Sequence, residues 1–501
     1  MIMQKEYDIV IVGSGVAALA FANYILEAKS SFRIAILSKG DLPNCNTAMA
    51  QGGIAAVTNF EEDSFEEHIE DTFQAGGRVG KIDVIRRVVC DAPARLNDLV
   101  RWGVPFNRQQ GVFRLHREGG HSKHRIVHYL DQSGKAIHES LLNRLQQHNK
   151  IDFFENHTAV DLIRSKNQCA GLLTLDEKEN WLQFKANTFV LCGGGSGALF
   201  EQTTNSAYST ADCVAMANRI GLNIRDFHKT QFHPTALFLN SESKLPLISE
   251  AVRGFGAHLL NHKGERFAFK YDSQGELAAR DVLTAAIFQE MESENVDHQY
   301  LSLQHLNQLD LSIHFPFIYR TLQSNNLNPA EDLIPIVPAA HYQCGGIEVN
   351  AVGRTSLDNL FALGECAYTG MHGNNRLASN SLLEAVAYAY FAANTILNSS
   401  IINAANLREL KLETTRYSDN GKAMVLMASL QSLMTKMFHH KNDFDILKTV
   451  SIELVNLNNL YEDLNLQSKL AQELRNRLEL ADIYLESVKN EAKNTVMLTI
   501  Q

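Results

Sequence analysis

Residues 7–12 are almost continuously apolar and run straight into Gly13-Ser14-Gly15-Val16-Ala17-Ala18, a combination that leaves few folds open. An apolar run of this length reads as a strand buried on both faces, as in a parallel sheet. The GxGxxA turn opens a helix that continues to about Ala28, and Phe32-Arg33-Ile34-Ala35-Ile36-Leu37 supplies the second strand of a βαβ unit. Gly13 permits the tight turn, Gly15 lets the backbone approach a pyrophosphate, and the small Ala18 lets helix and strand pack closely. Phosphates then sit at a helix N-terminus, where N–H groups and the dipole favour anions. The expectation is an α/β, Rossmann-like dinucleotide-binding domain. The same apolar stretch is a poor membrane or signal segment, because Asp8 and Asn23 interrupt it and the glycines sit at its centre.

A glycine fingerprint alone indicates only some dinucleotide. Downstream, Asn46-Thr47-Ala48-Met49-Ala50-Gln51-Gly52-Gly53 carries a second glycine pair, which lets the backbone approach a large planar ring and narrows the ligand to a flavin. Two later segments repeat the strand-to-glycine pattern: 187–191 before Gly193-Gly194-Gly195, and 359–363 before Gly364-Glu365. Their return to one ligand implies a discontinuous cofactor domain, 1–226 and 343–400, with residues 227–342 inserted as an α+β capping domain. From about Arg408 the chain is rich in Leu, Glu, Asn and Lys, lacks proline and carries helix-spaced apolar residues, so 401–501 reads as a helical bundle. A chain of 501 residues has core enough for all three. The net charge of −10 argues against nucleic acid as a partner, although a small site can still be locally positive. Seven cysteines without CxxC pairs read as reduced thiols of a cytoplasmic protein, with no framework for a metal.

Cationic and hydrogen-bonding residues crowd the insertion and its edges: Gln231-Phe232-His233-Pro234-Thr235, Ser249-Glu250-Ala251-Val252-Arg253, Arg280-Asp281, His341-Tyr342 and His372 to Ser381. Upstream lies Arg117-Glu118-Gly119-Gly120-His121. Taken singly, each has a bland reading: a lone histidine is more often structural, and Arg280-Asp281 could be a surface ion pair worth ~0–1 kcal/mol. Their order together resembles the flavoprotein family of succinate dehydrogenase, fumarate reductase and L-aspartate oxidase, over about residues 5–395.

The resemblance implies an FAD domain, a mobile cap inserted in it and a C-terminal three-helix domain. By position it implies that Gly13, Ser14, Gly15, Val16 and Ala17 hold the pyrophosphate and Lys39 the adenosine region. Asn46, Thr47, Ala48, Met49, Ala50, Gln51, Gly52 and Gly53 would line the isoalloxazine, completed by Asp212, Glu365, Ser381 and Leu382. Arg280 matches the proton-transferring arginine, and His233, Ser249, Glu250, His341 and Arg376 match residues that clamp a C4 dicarboxylate. Asn46 stands where the dehydrogenases carry the histidine that links covalently to FAD, so a non-covalent flavin is expected. Glu118 stands where the oxidase branch carries a glutamate able to face an α-amino group. The segment Arg376 to Glu384 likewise looks like the oxidase version. The implied reaction is oxidation of L-aspartate to iminoaspartate with O2 or fumarate as acceptor, opening de novo NAD biosynthesis, with quinolinate synthase as the enzyme that follows. The alternative is a soluble fumarate reductase or a succinate dehydrogenase flavoprotein subunit. Three departures stand out: Ser38-Lys39 where a ribose-binding acid is usual, Ala211-Asp212-Cys213 in place of Gly-Asp-Gly, and no Ser-Arg-Gly signature after Ala481.

Overall fold

The computed structural model describes residues 3–28, 31–240, 242–399, 420–464 and 468–499. Strand Met3–Val12 lies at the centre of a seven-stranded sheet, between Ile34–Leu37 and Trp181–Leu191, both parallel to it. Ile151–Phe154 extends the parallel run on one side and Leu360–Ala362 on the other. The strand Trp181–Leu191 forks the sheet. Its last residues pair with Leu360–Ala362, while its first pair antiparallel with Gln168–Leu175, which pairs in turn with Thr158–Ser165. Both central strands begin earlier than their apolar runs predict, because Met3 to Glu6 pair with Leu182 to Lys185. Backbone pairing there tolerates exposed polar side chains that leave no hydrophobic signal.

Helix Val16–Ala28 is buried from Val16 to Leu26, which explains its lack of a polar face. The sheet covers one side and helix Asn380–Asn398 the other, with Ala17, Ala20 and Ala22 on one helix and Ala385, Ala389 and Ala392 on the other small enough for close approach. The three glycine-turn segments all end at the carboxyl edge of this sheet, where open α/β sheets bind ligands.

A second, antiparallel sheet runs Thr230–Leu237, Ile334–Gln343, Gln299–Ser302, His258–Leu260, backed by helix Arg280–Glu294 and a separate apolar cluster around Leu259, Leu283, Ile287 and Leu301. The strands that enter and leave it, Thr230–Leu237 and Ile334–Gln343, are hydrogen-bonded neighbours, so the whole insertion hangs from one ladder. The protein is thus an α/β, Rossmann-like fold with an inserted α+β cap and a C-terminal helical region.

That region comprises helices Asn420–His439, Phe444–Leu464 and Lys469–Thr499, packed around Leu430, Met434, Met437, Val450, Leu454, Leu478 and Tyr484. The part of the expected bundle between 401 and 419 lies outside the described residues. Polar ties join its last helix to the rest of the fold. Arg219 pairs with Glu479 at 2.6 Å, Arg477 donates to the Ala198 carbonyl at 2.9 Å, and Asn476 donates to Asp212 at 2.8 Å.

Candidate active site

One cavity of about 260 Å³ opens along the carboxyl edge of the main sheet and reaches under the second sheet. Gly13, Ser14, Gly15, Val16 and Ala17 line one end. Gly13 sits at φ 117°, and a Cβ there would lie 2.1 Å from the Cys192 carbonyl oxygen, so the turn accepts no other residue. The Thr47 hydroxyl caps the helix by accepting from Val16 N at 3.0 Å. Residues 46–53 line the middle of the cavity except for Ala48, which does not reach its wall.

Lys39 also lines the cavity, but not as a free cation. Its Nζ donates to Asp212 at 3.0 Å and Thr210 at 2.8 Å, and pairs with Glu473 of the last helix at 2.7 Å. Lys39 therefore ties the cavity wall to the helical region. Ala211 takes the left-handed conformation, φ 51° and ψ 30°, that a glycine would adopt freely. The Ala-for-Gly departure thus keeps the backbone turn and stores strain in it.

The Asn46 side chain accepts from Ser206 N at 2.8 Å and Ser209 Oγ at 3.1 Å, which pins the loop 204–209 against the cavity. Glu365 accepts from Gln343 N at 2.9 Å; burial pushes its carboxyl up to about 7, against the pull of that N–H and of Arg376.

The far end gathers the charged residues. Arg280 is the first residue of helix Arg280–Glu294, an unfavourable place for a cation. Glu250, in the first turn of helix Glu250–Gly254, offsets this by accepting from Arg280 Nε at 2.7 Å. Ser249 caps that helix by accepting from Ala251 N. Arg376 lies over the Tyr342 ring at 4.3 Å and donates to Ser381 at 3.4 Å, and its Nε is buried without a partner. The His233 and His341 rings are 5.2 Å apart. Burial, reinforced by the Arg280 charge, drives both imidazoles well below their usual range, so they are neutral. Thr235 N donates to His233 Nδ1 at 3.2 Å, which leaves the His233 proton on Nε2.

Glu118 is 5% exposed and shares this end of the cavity. Ser379 donates to it at 2.6 Å and His116 Nε2 lies 3.5 Å away. Burial alone would raise the Glu118 carboxyl, but His116 and Ser379 outweigh it and hold the group down at about 2.

The candidates named from sequence for binding and chemistry on the substrate line this one cavity: Glu118, His233, Ser249, Glu250, Arg280, His341 and Arg376, with Asp212, Glu365, Ser381 and Leu382 along its length. The main omission is Gln231. Its Oε1 accepts from Arg280 Nη1 at 3.2 Å and from Arg376 Nη2 at 3.3 Å, so one amide oxygen joins both guanidinium groups. Its Nε2 donates to the Arg376 carbonyl at 2.8 Å and to Asn375. Gln231 lies two residues before His233, and strand alternation puts both on one face, a signal the sequence already held. The loop residues Thr204, Asn205 and Ser206 carry no such periodic signal.

The residues fit a large polar ligand. The missing Cβ of Gly194, at φ 76°, meets no atom within 4 Å, while Gln51 Oε1 and Asn205 Oδ1 are buried on the cavity without partners. The profile of the FAD binding domain family matches residues 8–382, most of the chain, which makes this an FAD-dependent flavoprotein. Among solved structures, an E. coli quinol fumarate reductase is 27% identical and superposes with a TM-score of 0.83, covering 98% of this chain and 89% of its own. Two L-aspartate oxidases are closer in sequence. That of Acinetobacter baylyi is 35% identical over 494 residues, 96% of this chain and 90% of its own length. That of Neisseria meningitidis serogroup B is 40% identical over 405 residues, 80% of each. The chain belongs to the L-aspartate oxidase family, and it is an oxidoreductase.

Proposed function

We propose that the protein oxidises L-aspartate to iminoaspartate with O2 or fumarate as electron acceptor, the first step of de novo NAD biosynthesis. The observation that carries this reading is a buried, ionised Glu118 sharing one cavity with Arg280 and Arg376. A C4 diacid uses the two cations; an α-amino diacid also uses the anion. A fumarate reductase or succinate dehydrogenase subunit has no amine to place there, and Asn46 cannot form a covalent flavin link.

FAD would be held without a covalent bond by Gly13 to Ala17 and Asn46 to Gly53, with Lys39, Asp212, Glu365, Ser381 and Leu382. When bound, FAD supplies the acceptor for the hydride lost from the substrate Cα. Arg376, held by the neutral Gln231 and Ser381, presents its charge to one substrate carboxylate, where a guanidinium fork makes two charge-assisted hydrogen bonds. Neutral His233 and His341 donate to the carboxylates without adding charge. Clamping both ends fixes the reactive C–H, and orientation of this kind contributes several orders of magnitude in rate. Arg280 is a poor base, since guanidinium pKa values exceed ~12. It acts electrostatically on aspartate and delivers the proton in fumarate reduction, with Glu250 behind it.

The division of labour follows the chain: 1–226 with 343–400 for the cofactor, 227–342 as the cap whose closure excludes water, and 401–501 bracing the adenosine end through Glu473. Among the described residues no helix is long and apolar enough to cross a membrane. A cytoplasmic enzyme passing its hydrolysable imine to quinolinate synthase is part of this reading. Anaerobic addition of L-aspartate to the FAD-loaded protein should bleach the flavin absorbance, and in air should yield hydrogen peroxide. Bleaching by succinate and not by aspartate would overturn the assignment in favour of the dehydrogenase reading.

A further inference from the structure

We propose that Thr204 is a positioning residue: its hydroxyl fixes the tautomer and ring orientation of His341, making that imidazole a hydrogen-bond donor to a substrate carboxylate. The inference rests on the reading of His341 as part of the dicarboxylate clamp. Burial and the Arg280 charge keep the His341 ring neutral. A neutral imidazole carries one proton, on either nitrogen, so only one tautomer donates from a given edge of the ring. A carboxylate only accepts, and the other tautomer would set lone pair against lone pair. Neutrality alone therefore does not make His341 a donor; a neighbour has to select the nitrogen.

The selection follows from the hydrogen bonds around one carbonyl. Thr204 Oγ1 lies 2.8 Å from His341 Nδ1 and 3.4 Å from the Ala340 carbonyl oxygen. Its single proton has those two destinations. The Ala340 carbonyl is already served, accepting from Thr204 N at 3.0 Å and from Thr203 Oγ1 at 2.9 Å. Those two donors fill both of its lone pairs. The Thr204 proton therefore goes to His341 Nδ1, the shorter of its two contacts, and the His341 proton stands on Nε2 at the opposite edge of the ring. His233 reaches the same tautomer by another route, since Thr235 N donates to its Nδ1 at 3.2 Å. The two rings, 5.2 Å apart on the wall of one cavity, form a pair of neutral donors.

The loop that carries Thr204 has its own support. Asn205 Nδ2 donates to the His341 carbonyl at 2.9 Å, lacing the loop to strand Ile334–Gln343. Asn46 accepts from Ser206 N at 2.8 Å and Ser209 Oγ at 3.1 Å on the flavin side. None of these bonds uses the Thr204 hydroxyl, so its removal addresses His341 and leaves the loop anchored.

The test compares the FAD-loaded wild type with Thr204→Val, which removes the donor at similar shape, and Thr204→Ser, which keeps it. Nitrogen NMR of the imidazole rings, with the His341 signals assigned by their loss in His341→Gln, should show Nε2 protonated and Nδ1 bare in the wild type. In Thr204→Val the Nδ1 resonance should move to that of an unbonded lone pair. A hydrogen bond to a charged group contributes roughly ten- to hundredfold, so KM for aspartate and for fumarate should each rise at least about tenfold in Thr204→Val. Thr204→Ser should recover both to within about threefold. The FAD dissociation constant should stay within about threefold throughout, whereas a merely structural role would weaken FAD together with the substrates. A proton on His341 Nδ1 in the wild type, or a serine variant no better than the valine one, would overturn the proposal. If Nε2 is protonated and neither KM moves in Thr204→Val, the proposal falls together with the reading of His341 as a carboxylate donor.

Discussion

Replacing Glu365 with glutamine should stabilise the FAD-free protein, and increasingly so as pH rises. Glu365 lies on the cavity wall, where burial raises its carboxyl from the ordinary 4.5 to about 7 despite the Gln343 N–H and the Arg376 charge. A carboxyl raised on folding leaves the folded protein holding a proton that the unfolded chain has already lost between those two values. Stability contributed by this group is therefore complete below pH 4.5 and is lost as pH climbs through about 7. A tenfold change in proton affinity corresponds to about 1.4 kcal/mol, so the rise from 4.5 to about 7 costs the wild type up to about 3 kcal/mol at pH 8. Water in the cofactor-free cavity makes that figure an upper bound. Glutamine keeps the acceptor for Gln343 N and cannot ionise. Urea unfolding of both proteins at pH 5, 6, 7 and 8 should show the variant's advantage growing across the series and levelling off beyond it. An advantage that is the same at pH 5 and pH 8 would refute the reasoning.

Arg280→Leu should lower fumarate reduction by ~10²–10⁴-fold, as loss of a proton donor does, while aspartate binding, read from flavin spectral shifts, weakens less. Ala211→Gly should raise unfolding stability by about 1 kcal/mol, because glycine removes the left-handed penalty of ~1–2 kcal/mol and returns part of it as unfolded-chain entropy. Asp131 accepts from the backbone N–H of Phe317 at 2.8 Å and Ile318 at 3.1 Å, capping a helix of the inserted segment from the cofactor side. Asp131→Asn should weaken that contact by about 1 kcal/mol, seen as faster hydrogen exchange at those two amides and a raised KM for aspartate. Gln231→Leu should cut kcat/KM by about tenfold or more for both aspartate and fumarate, since hydrogen bonds to charged groups are worth ~1.5–3 kcal/mol each.

Much of the architecture was legible because it rests on local rules. The buried strand, the GxGxxA turn and the all-apolar helix are written in residues 7–28, and each has a single structural solution. Strand lengths were underestimated where pairing involves polar residues such as Gln4, Lys5 and Glu6, since an exposed strand has no hydrophobic period to detect. The site candidates were legible because they stand in short stretches whose order along the chain resembles that of a known family.

What the chain order could not contain was the company each residue keeps. Lys39, placed by the resemblance at the adenosine region, is held by Asp212 and Glu473, the latter more than four hundred positions away. Gln231 reads as part of a motif and is the shared acceptor of Arg280 and Arg376. The sequence by itself determined the type of fold and pointed to a flavin, because backbone sterics are local properties, and it carried the kind of substrate through its resemblance to a known family. Tertiary structure alone decided which charges are neutralised, which remain available and which carboxyl is acidic. Burial and Coulomb interactions depend on distance in space, and the chain brings together residues that its order keeps apart.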